Sequence, residues 1–204
     1  MENWEVDFTW QPNYNIAPTQ KILVLTCENK RTIKGMYWGL VPNWSKKHNI
    51  SNRMINARME TLIEKPSYAS LVRSQRCIVI ADGYYEWMQT SQGKQPYYIH
   101  DPGNIILPFA GLWDRWQNVG KQERMTCTII TTEPNKELKQ IHNRMPVILT
   151  RERMDEWIDC RHNNKVLQLL KPYTKDLDYY PVSTLVNYAV NNSQKCIDPI
   201  IMEE

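Results

Sequence analysis

Phenylalanine, glycine and unbroken apolar length are all scarce in this sequence. Two phenylalanines stand against eleven tyrosines and eight tryptophans, so most of its aromatics carry a polar handle and suit wet clefts and stacking surfaces as well as cores. No apolar run approaches the ~18 residues that a membrane-spanning helix requires. Met1 to Trp10 has neither the basic start nor the apolar centre of a secretory signal, so the expected setting is intracellular and cytoplasmic, with no membrane partner. There is no C-x-x-C pair. The five cysteines, Cys27, Cys77, Cys127, Cys160 and Cys196, are odd in number and widely spaced, which argues against a disulfide framework and a zinc knuckle. They read as buried, reduced thiols, and neither a metal nor another cofactor is expected. Repeats, low-complexity tracts and linkers are also missing. With 42% hydrophobic and 23% charged residues, the expectation is one domain over residues 1–204, monomeric.

Net charge is only +3 but is unevenly spread. Lys46, Lys47, His48, Arg53 and Arg58 share one stretch, followed by Arg73 and Arg76, then Arg144, Arg151 and Arg153, while the C-terminal end is acidic. A basic face fits a polyanionic partner. Ordinary solvated charge is the equal alternative.

Along the chain, Lys21 to Thr26 and Arg31 to Trp38 read as a hairpin around Glu28-Asn29-Lys30. Asn43 to Arg53 reads as a loop, and Arg58 to Val72 as helical, interrupted by Pro66. Arg76 to Ala81 is an apolar run typical of a strand buried on both faces. Gly83 breaks it and Tyr84 to Met88 resumes it. Gln89 to Gln95 is expected as a hairpin loop before the strand Pro96 to His100, and Asp101-Pro102-Gly103-Asn104 as a turn. Strands follow at Ile105 to Leu112 and Met125 to Thr131. Helices are expected at Asn135 to Ile141, from a Thr150 cap through Asp159, and at Asn164 to Lys171. Tyr179 to Val182 and Val186 to Val190 read as strands. Hairpins dominate and no βαβ repeat appears. The fold class is therefore α+β: a curved, partly closed, mainly antiparallel β-sheet or barrel with peripheral helices.

Four polar clusters interrupt the apolar runs. In Ile55 to Thr61, Asn56 and Arg58 are two residues apart, so an extended backbone projects both from one face. An amide beside a guanidinium suits an oxyanion or phosphate; a helix cap with a surface arginine is the plainer alternative. In Ala81 to Trp87, Glu86 follows a buried strand between two aromatics. Such a carboxyl has a raised pKa and serves as acid or base, unless it simply ends a strand in a salt bridge. In Ile141 to Pro146, His142 sits at a helix end with Arg144 two residues on, repeating the Asn56/Arg58 spacing; a satisfied structural histidine is the competing reading. In Trp38 to Trp44, Trp44 lies on a Pro-bounded loop beside lysines, where it can stack on single-stranded bases, whereas Trp38 belongs to the core. On residues alone, these clusters support a polyanion-binding or hydrolytic cleft.

Taken in order, the segments resemble the SOS-response-associated peptidase family, which includes abasic-site-processing proteins of bacteria, phages and animals. The matching pieces are Tyr14 to Pro18, Trp38 to Trp44, Asn56 to Thr61, Arg76 to Trp87, Phe109 to Trp116, Ile129 to Thr131, Ile141 to Leu149 and Tyr180 through Asn187. The resemblance implies a bacterial or phage origin and single-stranded DNA with abasic sites as partner. It also implies a covalent thiazolidine link between the opened sugar and an N-terminal cysteine, whose amine forms an imine that its thiol traps. Carried over, Asn56 positions that group, Glu86 shuttles protons, His142 hydrogen-bonds the opened sugar, Arg58 and Arg144 grip phosphates, and Trp44 and Trp87 meet bases.

The family begins Met-Cys-Gly-Arg, whereas Met1 here precedes Glu2 and Tyr14 follows almost at once. No nucleophile is therefore assigned in these residues. The expectation is an N-terminally incomplete or alternatively started chain, with a relative naturally lacking the nucleophile as the alternative. A polypeptide of these 204 residues is expected to form no gel-stable adduct with abasic single-stranded DNA. Two other functions stay open: a non-enzymatic single-stranded-DNA binder or adaptor, and a peptidase limited to removing its own initiator methionine.

Overall fold

The computed structural model describes residues 5–7, 9–46, 48–118, 120–159 and 165–201. Met1, Glu2, Lys47, Cys160 and Asn164, named in the expectations above, lie outside the described residues. The strands are β1 (Glu5–Asp7), β2 (Lys21–Cys27), β3 (Arg31–Trp38) and β4 (Asn56–Arg58). Two short helices follow, α1 (Pro66–Ala69) and α2 (Leu71–Ser74), then β5 (Arg76–Ala81), β6 (Gly83–Thr90), β7 (Gly93–His100), β8 (Leu107–Gln117) and β9 (Glu123–Thr132). The chain continues through β10 (Met145–Pro146), α3 (Arg151–Ile158) and β11 (Asp178–Pro181).

Strands β3-β2-β5-β8-β9 pair antiparallel in that order, and a parallel pairing of β3 with β9 (Tyr37 with Thr126, Trp38 with Cys127) closes them into a five-stranded barrel. The mainly antiparallel barrel is thus fully rather than partly closed. Closure removes the edges that an open sheet leaves exposed. Gly39 makes the exit from β3 possible: its φ is +124°, and a Cβ there would meet the Ser51 carbonyl oxygen at 2.6 Å. Its N–H donates to the Cys127 carbonyl at 2.8 Å, extending the seam.

Alternate residues along the strands separate into two apolar clusters, as a period of two demands. Leu25, Ile78, Ala110, Leu112 and Ile130 join the helical residues Tyr68, Leu71, Val72 and Trp157 in an outer layer. Val24, Met36, Cys77, Val79, Phe109, Trp113 and Cys127 form the opposite cluster, inside the barrel, together with Tyr84, Tyr97 and Ile99 of the second sheet. That second sheet has three strands in the order β11-β7-β6, leaving β6 as an edge strand.

Arg76 does not belong to a basic face. It is 2% exposed and threads between the helices, its guanidinium donating to the carbonyls of Val72, Arg73, Trp157 and Asp159. Trp157 completes the joint by donating from Nε1 to the Cys77 carbonyl at 2.8 Å. Arg31 is likewise paired, with Asp155 at 2.7 Å.

Several expected helices shrink to single turns. Arg58 ends a strand, Met59–Thr61 is a 3-10 turn, and Pro66 begins α1 rather than interrupting a helix, as suits a residue without an N–H. Within Asn135 to Ile141 only Leu138–Gln140 is helical, a 3-10 turn with the Asn135 side chain accepting from the Leu138 N–H at 2.9 Å. Among the described residues of the expected second C-terminal helix, only Val166–Leu169 is helical, a 3-10 turn. Val186 falls in the 3-10 turn Thr184–Asn187, capped by Ser183, not in a strand. The β6–β7 loop has two residues, Ser91 and Gln92, because Thr90 and Gly93 already pair. Thr150 does precede α3, but without a side-chain capping bond.

Replacing the buried guanidinium while keeping the stem, Arg76→Met, leaves several buried carbonyls without donors, each costing about 1–3 kcal/mol. Urea denaturation is expected to show a loss of roughly 3 kcal/mol or more; a loss under about 1 kcal/mol would remove Arg76 as the anchor of α3.

Candidate functional site

Glu86 lies on the edge strand β6 with Tyr84 two residues before it on the same face. The carboxyl is 23% exposed, and its Oε1 is 3.3 Å from His142 Nδ1. Burial raises its pKa from 4.5 to about 7, and the His142 charge and the Trp87 N–H only partly offset this. The expectation of a raised acid is met, though the flanking aromatics Tyr85 and Trp87 project to the opposite sheet face.

His142 follows the Leu138–Gln140 turn, its N–H donating to the Leu138 carbonyl at 3.1 Å. Its Nδ1 is also 3.2 Å from the Arg144 carbonyl. A carbonyl only accepts, so Nδ1 carries the proton and Nε2 is the ring atom left for a ligand. The ring is 42% exposed.

A cavity of about 660 Å³ opens beside this pair, lined by Glu86, Trp87, Gln89 and Lys94 of the β6–β7 hairpin and by Lys139, Gln140, Ile141, His142 and Asn143. Trp87 is fixed there by donating to the Asn187 side chain at 2.8 Å.

Asn56, Arg58 and Arg144 gather around the C-terminal end of β9 instead. Strand β4 pairs parallel with β9 (Asn56 with Ile129, Arg58 with Thr131), and β10 pairs with the same stretch from the other side (Pro146 with Thr131). Asn56 and Arg58 are exposed while Ala57 between them is buried, so the two do share one face. The Arg144 fork grips Glu60 at 2.8 and 3.0 Å and reaches the Thr131 carbonyl at 2.5 Å. Those bonds hold the Glu60 carboxyl below its ordinary value. Arg144 Nε is buried and unpartnered. Arg58, by contrast, has no ion pair among the described residues and contributes only its field at Glu60.

Matching against family descriptions places residues 1–189 in "SOS response associated peptidase (SRAP)". The chain belongs to this family. It is 42% identical over 194 residues to the abasic site processing protein YoaM of Bacillus subtilis, covering 93% of this chain and 86% of that one. To the abasic site processing protein HMCES of Xenopus tropicalis it is 34% identical over 229 residues, covering 96% and 68%. The X-ray structure of a Bacteroides thetaiotaomicron protein superposes with a TM-score of 0.82 at 29% identity, covering 90% and 82%.

In this SRAP protein Trp44 is 63% exposed on a pinned turn. The Asn43 N–H donates to Asp114 at 2.8 Å, the Ser45 N–H to the Pro42 carbonyl at 2.9 Å, and Trp116 Nε1 to the Ser45 carbonyl at 2.7 Å. Trp38 is half-buried against the barrel interior, as expected of a core residue. Cys77, Cys127 and Cys196 are buried free thiols and Cys27 is half-buried; burial pushes the Cys127 thiol far up. Among the described residues no helix is long and apolar enough to cross a membrane.

Sequence reasoning missed Glu60, Lys94 and Lys139. Glu60 is the acidic neighbour in the Asn56 cluster, and Lys139 lies three residues before His142. Lys94 becomes visible only once the β6–β7 register sets it opposite Gln89.

The sign of the Glu86 effect on stability follows from its raised value. Ionising the carboxyl costs more in the folded chain than in the unfolded one. Stability is therefore undiminished below pH 4.5, falls as pH rises towards 7, and carries the full cost above it. Glu86→Gln is expected to gain up to about 3 kcal/mol over the parent above pH 7 and nothing below pH 4.5. Parallel melting curves across that range test this; an advantage confined to the acid side would reverse the assignment.

Proposed function

We propose that this protein processes abasic sites in single-stranded DNA, with Glu86 and His142 as its acid–base pair. One observation carries the reading: a carboxyl titrating at about 7 sits 3.3 Å from an imidazole, at the wall of a cavity. The relatives named for abasic-site processing supply the substrate class.

An abasic sugar is a cyclic hemiacetal, and opening it requires a proton to leave the anomeric hydroxyl and another to reach the ring oxygen. A carboxyl near neutrality is suited to both transfers, because the correct protonation state is populated for each. Glu86 takes the hydroxyl proton and returns it to the ring oxygen, giving the aldehyde with no net change in the enzyme. His142, with Nδ1 turned to the Arg144 carbonyl, offers Nε2 to the sugar oxygens. Asn56 is assigned to orienting the group that attacks the aldehyde; for a cysteine at a chain start, that attack is imine formation closed by the thiol.

Arg58 is the phosphate contact free to act at once. Arg144 reaches a phosphate only by exchanging it for the Glu60 carboxylate, so its first role is to hold the His142 segment against β9. Trp44, held outward, and Trp87 stack on bases, which suits binding without sequence preference.

The test separates binding from chemistry. Arg58→Ala and Trp44→Ala are expected to weaken binding to single-stranded DNA, with a base-stacking contact worth about 1–3 kcal/mol and the arginine's share fading with salt. Glu86→Gln is expected to bind unchanged while sugar opening slows by about 10²–10⁴-fold, followed by trapping the aldehyde with a hydroxylamine probe. Equal trapping rates in parent and Glu86→Gln would leave only a non-enzymatic single-stranded-DNA binder.

A further inference from the structure

Two cavity-lining cations have no part in that scheme, Lys94 and Lys139. Both are exposed, and both line the cavity that Glu86 and His142 also line, from two different segments of the chain. Lys94 is on β7 just after the hairpin, and Lys139 is in the Leu138–Gln140 turn.

Neither lysine has an ion pair or hydrogen bond from its ammonium among the described residues. Among the described residues, Glu86 is the only carboxyl lining the cavity. Arg144, whose carbonyl lies beside His142, has its charge matched by Glu60. The cavity is therefore acidic at one point and carries an excess of positive charge at its sides. Such charges without counterions suit a ligand with two separated anionic groups.

Their mounts are rigid. The β6–β7 hairpin is tied by Thr90 Oγ1 donating to the Gly93 carbonyl at 2.8 Å and accepting from the Gln92 N–H at 3.2 Å. The Leu138–Gln140 turn is tied by buried Leu138, by the Asn135 cap at 2.9 Å, and by Gln140 donating to the Tyr179 hydroxyl at 2.6 Å. Two solvated lysines on mobile loops would need no such framing.

We propose that Lys94 and Lys139 each hold one of the two backbone phosphates flanking the sugar that Glu86 and His142 open. This rests on the abasic-site reading above and adds to it a registration device: the strand is gripped on both sides of the reacting unit. The sugar is centred without any base contact, as a site lacking its base requires. An ammonium serves here as a point charge on a flexible stem, which tolerates the varied backbone of a single strand.

The experiment is a salt titration of binding to single-stranded DNA carrying a stable tetrahydrofuran abasic analogue, read by fluorescence anisotropy. The proteins are the parent, Lys94→Gln, Lys139→Gln, the double variant, the double Lys→Arg variant, and Lys175→Gln as a control lysine outside the cavity. Each phosphate contact contributes about 0.7 to the slope of log affinity against log salt on a single strand. Each single variant is expected to flatten that slope by about 0.7 and the double variant by about 1.4. Lys→Arg should restore most of it, and Lys175→Gln should leave it unchanged. Melting temperatures confirm that the exposed substitutions leave the fold intact.

A parent that binds while the double variant keeps its slope overturns the clamp and leaves the function standing. Loss confined to one lysine overturns the two-sided grip. A parent with no affinity for the abasic strand overturns the function and the clamp together.

Discussion

Strand β9 is the constraint on which the molecule depends. Over Glu123–Thr132 both of its edges are used twice: β8 and then β10 on one side, β3 and then β4 on the other. The first pair of partners closes the barrel. The second pair brings two chain segments more than seventy residues apart in sequence to either side of Thr131. One of these carries Asn56, Arg58 and Glu60, and the other carries His142 and Arg144. Neither β4 nor β10 is long enough to stand as a strand alone. They exist because β9 offers them free backbone groups beyond the reach of the longer strands, and a buried backbone group must find a partner.

Arg144 then converts that proximity into geometry. Its carbonyl sets the proton on His142 Nδ1, while its guanidinium spans Glu60 and the Thr131 carbonyl. A single residue thus ties the histidine to the β4 segment through β9. Glu86 arrives from elsewhere, on the edge of the smaller sheet where it covers the barrel. Its raised value is a consequence of that covering: the apolar side chains that seal the barrel also strip water from the carboxyl. The fold's need to close its core and the site's need for a neutral-range acid are met by the same contacts.

The legible parts of the sequence were those where a local pattern and the final pairing agree. Strands Arg31–Trp38 and Arg76–Ala81 coincide with the expected bounds, since each is an apolar or β-branched run between turn-forming residues. The residues proposed for the site, Glu86, His142, Asn56 and Arg58, stood out as polar interruptions of such runs. The failures have a common physical form. Arg58 to Val72, Asn135 to Ile141 and Val186 to Val190 are segments whose conformation is decided by what they pack against, and single turns or two-residue strands carry no periodicity to read. Arg76 looked like surface charge because nothing local reveals that the distant carbonyls of Trp157 and Asp159 will join those of Val72 and Arg73 around it. The cavity lysines escaped for the same reason, as their meaning lies in what stands opposite them.

What the fold holds tightly and what it leaves exposed divide along chemical lines. The groups proposed for the acid–base pair, Glu86 and His142, are partly buried and lie against each other and the Arg144 carbonyl. The groups proposed to meet DNA stand outward on pinned supports: Trp44 on its three-bond turn, Arg58 on β4 beside a buried alanine, and Lys94 and Lys139 on tied hairpin and turn. An abasic strand offers no base edge at the reacting position, so affinity has to come from phosphates and from neighbouring bases, whereas rate has to come from the sugar alone. Placing charge and stacking on the rim, apart from the acid–base pair, lets affinity and rate be set by different residues.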